Sequence, residues 1–164
     1  MSAELSHWLT RLIVRELEAF ERELALCPDE RVVWCVAPGI TNAIGTLVLH
    51  VCGNLQYFVG ARLGGSGYVR NREAEFARTG VAREALVAEL RRTRNVVATT
   101  LARVTEEQLS QPFPEPVGGA TLTTGLFLTH LAAHLAFHLG QAGYLRRLLT
   151  GDTRSAGPLP LSAL

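Results

Sequence analysis

Lysine is absent from this chain: all 16 basic residues among its 164 are arginine. No lysine can therefore serve as a Schiff-base nucleophile or general base. The 15 acidic residues nearly cancel the basic charge, leaving a formal +1, and the arginines are dispersed along the chain instead of forming a block. That distribution has no electrostatic footprint for nucleic acid. Cysteine is scarce too: Cys27, Cys35 and Cys52 are odd in number and form no C-x-x-C. A disulfide framework and a zinc knuckle are excluded, and reduced, mostly buried thiols are expected. No run of 18 uninterrupted apolar residues occurs, and residues 1–25 carry no basic-then-apolar leader. The expectation is a soluble, cytoplasmic protein with no membrane partner.

What is present points to helices. With 48% apolar and 19% charged residues, the chain suffices for one domain whose core needs no disulfide or structural metal. Leu5, Trp8, Leu9, Leu12, Ile13, Leu17, Phe20 and Leu24 recur at three- and four-residue steps between Glu and Arg, which predicts an amphipathic helix over Ala3–Leu26. After a break at Pro28, Pro38 and Gly39, Thr41 or Asn42 is placed to cap a second helix over residues 43–63, apolar enough to be buried on most sides. Gly64, Gly65 and Gly67 end it, and a charged connection leads to a third helix over residues 82–104. Residues 105–108 have capping-box form, which predicts a short helical turn. The segment QPFPEPVGGATLTT reads as a loop with a strand-like piece, and Thr123 or Thr124 caps a fourth helix that stops at Gly151. Four long helices with a longer connection between the second and third predict an all-α four-helix bundle over residues 1–150. Residues 151–164 read as an extended or loosely docked tail whose apolar residues suit a neighbouring subunit, so a homodimer is expected.

Three of the five histidines, His130, His134 and His138, fall four residues apart in the fourth helix. Side chains four apart stack on one helical face at about 6 Å, which suits two imidazoles on one metal ion. Three cannot share it: the outer pair lies about 12 Å apart along the axis, whereas metal–nitrogen bonds are about 2.0–2.1 Å. One adjacent pair is therefore the candidate, and a further ligand must come from another helix. His50, in the apolar second helix, is the natural third ligand. Three neutral imidazoles leave coordination positions open, as a catalytic divalent ion requires. His7, beside Trp8 on the amphipathic first helix, reads as a surface or packing residue.

N-A-I-G-T-L-V-L-H-V-C-G-N-L at residues 42–55, R-N-R-E-A-E-F at 70–76 and H-L-A-F-H-L-G-Q-A-G-Y-L-R at 134–146 resemble, in order, the signature segments of the DinB-like superfamily. The resemblance implies a down-up-up-down four-helix bundle. It also implies a divalent metal, zinc or nickel foremost, held by His50, His134 and His138. His130 is then surplus, a pocket-lining or structural residue. Gln141 lies next to His138 on the helix and suits either a hydrogen bond to that ring or an interhelical contact. Asn54, one turn after His50, is read as structural, and Cys52 points away from the metal. Arg70, Arg72, Glu73 and Glu75 read as a salt-bridge network pinning a loop, ahead of a clamp for an anionic substrate group.

Superfamily members of this kind include thiol S-transferases that use low-molecular-weight thiols, thiol-dependent isomerases and metal-dependent hydrolases. The expected function is thus a metal-dependent enzyme, a thiol S-transferase or hydrolase acting on a small molecule. The alternative is a non-catalytic stress-response or ligand-binding module whose metal site is vestigial or sensory.

Overall fold

The computed structural model describes residues 3–157, and among these seven α-helices form and no strand does. The four long ones are α1 (Ala3–Leu26), α3 (Ile44–Leu55, continuing as wider π-helical turns over Gln56–Leu63), α5 (Arg83–Leu101) and α7 (Thr124–Thr150). Three short ones, α2 (Glu30–Trp34), α4 (Arg72–Ala77) and α6 (Glu106–Ser110), sit in the connections. The apolar stripe of α1 is buried as its spacing requires, with Ile13, Leu17, Phe20 and Leu24 in the core.

Side-chain pairing fixes the direction of each helix. Arg91 pairs with Glu21 and Arg94 with Glu18, while the Ser6 hydroxyl donates to the Leu101 carbonyl, so α1 and α5 run antiparallel. Gln56 meets Glu89 and Thr93, Gly60 faces Val96 and Gly64 faces Thr100, so α3 and α5 run parallel. His50 meets His138 while Phe58 meets Phe127, so α3 and α7 are antiparallel. α7 also packs along α1. The bundle is down-up-up-down, as the resemblance implied.

The apolar stretch Ile44–Leu63 is long and apolar enough to cross a membrane, but 78% of its most apolar window is buried inside the protein. It packs between α5 and α7. Its start departs from expectation: neither Thr41 nor Asn42 caps it, and Ala43 occupies the cap position without a side-chain hydrogen bond. Packing supplies the boundary instead. The Trp34 ring lies so close to Gly45 that a Cβ there would come within 2.7 Å of it, so α2 docks onto the first turn of α3.

The helices α2 and α4, which replace segments read as irregular, are each one or two turns long and carry no periodicity to detect. Each is set by a capping side chain: Asp29 accepts from the amides of Arg31 and Val32, and Asn71 from that of Ala74. The capping box at Thr105 and Gln108 is present and opens α6. The strand-like piece of the following loop reduces to two isolated bridges, Pro112 with Thr123 and Val117 with Ala120. Thr123 caps α7, and Gly151 terminates it in the left-handed region at φ 69°.

Beyond α7 the chain is irregular but docked. The Ala156 amide donates to Glu23 and the Arg22 guanidinium donates to the Ala156 carbonyl, which ties residues 152–157 to α1. The rest of the tail, and with it the reading that its apolar residues cover a neighbouring subunit, lies outside the described residues.

Candidate metal centre

The antiparallel run of α3 beside α7 brings His50 to the expected pair. His134 Nε2 lies 3.3 Å from His50 Nε2 and 3.0 Å from His138 Nε2. One ring nitrogen from each of the three lies within 4.8 Å of the other two, a cluster that could hold a metal ion. His50 is buried, while His134 and His138 are half-buried and open toward solvent.

The opposite nitrogens are engaged elsewhere. His50 Nδ1 is 3.0 Å from Glu75 Oε2, and a carboxylate can only accept, so Nδ1 carries the proton. His138 Nδ1 is 2.8 Å from Gln141 Oε1 and donates to it in the same way. Both rings then direct an unprotonated Nε2 at His134. Lone pairs this close repel unless a proton or cation lies among them, so the donor set fits a divalent ion. Three nitrogens with no carboxylate suit a borderline transition metal better than magnesium or calcium.

Electrostatics agree. Burial, and then the neighbouring imidazoles His138, His50 and His130, push the His134 pKa from 6.5 down to about 4. Burial pushes His138 down as well, against the raising effect of the Gln141 hydrogen bond. Both shifts favour the neutral ring, the form that binds metal.

Around the cluster, the remaining candidates separate. His130 is exposed and stacks between Phe127 and His134, each ring centroid 6.0 Å away, and it stays outside the nitrogen cluster. Gln141 makes the hydrogen bond to His138, so of its two readings the one toward the site holds. Asn54 is buried, and its Oδ1 has no hydrogen-bond partner among the described residues. Cys52 is buried toward Thr93, away from the cluster, and burial pushes its thiol up to about 12, far from nucleophilic range. Cys27 is also buried and Cys35 exposed; all three thiols are free.

The charged connection splits in two. Arg70 makes a two-pronged pair with Glu75, Nε to Oε1 at 2.7 Å and Nη2 to Oε2 at 2.8 Å. Burial raises the Glu75 pKa, but the hydrogen bonds from Arg70 and His50 outweigh it and hold the carboxyl below its ordinary value. Arg72 is exposed and lies over the Phe76 ring at 5.1 Å, and that ring packs 4.8 Å from His50. Glu75 as the partner of His50 was not foreseen from the sequence, where it read as one end of a loop-pinning ion pair. The R-N-R-E-A-E-F segment marks the residue but not its reach.

Helix directions and the clustered histidines together define a DinB-like four-helix bundle with a site able to hold a metal. The solved structure of a DinB-like protein from Bacillus cereus ATCC 10987 is similar, with a TM-score of 0.64 at 18% identity, covering 82% of this chain and 86% of that one. At that identity the likeness speaks to the fold. No curated protein matches the chain. The family described as "Protein of unknown function (DUF1572)" matches residues 4–157, and the chain belongs to that family.

Proposed function

We propose that this protein is a divalent-metal-dependent enzyme acting on a small molecule, with His50, His134 and His138 as metal ligands and zinc or nickel as the metal. The observation that carries the reading is the convergence of three Nε2 atoms whose partner Nδ1 atoms, on His50 and His138, already donate to Glu75 and Gln141. A divalent ion there supplies Lewis acidity toward an ionisable O–H or S–H group of the substrate. The protein's own residues do the rest. Buried His50 anchors the cluster on the core side, and half-buried His134 and His138 leave an open approach from solvent. Arg72, stacked on Phe76 beside His50 and making no ion pair among the described residues, is a cation available to an anionic substrate group, since Arg70 is taken by Glu75. A low-molecular-weight thiol acting in S-transfer meets those demands, and so does a hydrolysable ester or amide.

Elemental analysis of purified protein, with His50→Ala and His134→Ala as controls, should find close to one metal per chain that both changes abolish. Metal-free wild type after loading with zinc and with nickel would overturn the reading. Loaded protein is then assayed against thiol–electrophile pairs and against simple esters and amides. Turnover of one class assigns the reaction; a loaded but inert protein against both would favour the ligand-binding alternative.

A further inference from the structure

We propose that Glu75 is a positioning residue for the metal centre: it holds the His50 proton on Nδ1 and fixes the ring plane, so that Nε2 is aimed at His134 and His138. This rests on the metal-binding reading above and adds to it a residue from another element, α4.

The geometry forms a chain of constraints. Arg70 grips both carboxylate oxygens of Glu75 through Nε and Nη2, and a planar guanidinium fork fixes the plane of the carboxylate it holds. The oriented carboxylate places Oε2 3.0 Å from His50 Nδ1. The His50 ring also packs against Phe76, with centroids 4.8 Å apart and the planes tilted by 41°. The ring is thus confined by a hydrogen bond at one nitrogen and by an aromatic contact. Histidines that bind metal usually donate their other ring N–H to such a group, which sets the tautomer and raises the basicity of the ligating nitrogen.

Gly53 shows that the fit extends into the backbone. It lies on α3 three residues after His50, and a Cβ built there would overlap Glu75 Oε1 and approach its Cδ to 2.8 Å. Helix interiors disfavour glycine, so its presence has a local reason: the carboxylate occupies the space a side chain would take. An ion pair that merely pinned the connection would need Arg70 and Glu75 alone. It would not require the carboxylate to reach Nδ1 or to lie against the backbone of the helix that carries His50. Gly53 in the second-helix segment and Glu75, the second E of R-N-R-E-A-E-F, are thereby parts of one device.

The test uses the full-length chain with Glu75→Ala, Glu75→Gln and Gly53→Ala, each checked for folding by circular dichroism. Gly53→Ala removes no polar group and installs a better helix former, so it displaces the carboxylate without discarding it. In metal-free protein at pH 8, nitrogen NMR should find His50 protonated on Nδ1 in wild type, and a mixture of tautomers in Glu75→Ala and Gly53→Ala. A purely structural role would leave the tautomer unmoved. Titration with Co²⁺ should show affinity 10- to 100-fold weaker in those two variants, the usual cost of losing such a partner. Their cobalt absorption bands should also change shape. Glu75→Gln, whose amide oxygen still accepts the Nδ1 proton, should recover most of the affinity. Cobalt binding by Glu75→Ala and Gly53→Ala within twofold of wild type, with unchanged spectra, would overturn the role of Glu75 and leave the metal reading standing. Wild type that takes up no cobalt would overturn the metal reading, and the role of Glu75 with it.

Discussion

His134 and His138 direct their Nε2 atoms at one another across 3.0 Å, although both rings project from the same helix. Burial and adjacent imidazoles hold His134 near pKa 4, against an ordinary value of 6.5, and burial holds His138 down too. A histidine whose folded pKa is depressed binds protons more readily in the unfolded chain, so acid favours unfolding. Metal-free protein should keep its stability between about pH 8 and 6.5 and lose it between about pH 6.5 and 4. Urea midpoints measured across that window check this, and His134→Gln should flatten the slope. Equal midpoints at pH 7.5 and pH 4.5 would contradict it.

Metal should stabilise the fold. At a free concentration of one hundred times Kd, linkage contributes about 2.7 kcal/mol, which for a chain of this size raises Tm by about 5–10 °C. Differential scanning fluorimetry with zinc, nickel and cobalt measures the shift. His50→Ala and His134→Ala should abolish it. His130→Ala should retain it, because His130 is exposed and lies outside the nitrogen cluster.

Arg70 and Arg72 are two residues apart and should respond differently. Removing Arg70 strands the buried Glu75 carboxylate, and Arg70→Ala should cost about 3 kcal/mol. Arg72 is exposed and stacks on Phe76, with no ion pair among the described residues, so Arg72→Ala should cost about 0.5–1 kcal/mol. Chemical denaturation of both variants gives the comparison; equal losses would show that the Arg70–Glu75 pair contributes no more than a surface contact.

A second buried pair anchors the chain's end. Arg146 is fully buried and donates to Glu23, 123 residues away, and Glu23 also accepts from the Ala156 amide. Glu23→Ala leaves the buried Arg146 guanidinium with the longer pair to Asp152, at 3.4 Å, and should cost about 3 kcal/mol. Hydrogen exchange at Ala156 should accelerate in the same variant. Protection at Ala156 equal to wild type would show that the segment is held without Glu23.

The long helices were legible because their signals are local. Apolar residues of α1 recur with the helical period, Thr105 and Gln108 form the capping box that their spacing announces, and Gly151 ends α7 where a left-handed residue is needed. α2 and α4 escaped detection because five or six residues are too few to establish a period. The start of α3 escaped it because Trp34 against Gly45, not a capping side chain, sets that boundary.

The site divides along the same line. Helical geometry by itself determined that His130, His134 and His138 cannot share one ion, since the rise per residue carries the outer pair about 12 Å apart. The apolar setting of His50 and the family resemblance named the other members, but that the three rings meet was decided by the tertiary structure: α3 runs antiparallel to α7 and delivers His50 beside His134 and His138. Glu75 reaches His50 across 25 residues of sequence, through space that Gly53 leaves open. Contacts of that kind depend on how helices pack, and packing is a property of pairs of distant segments that no local period encodes.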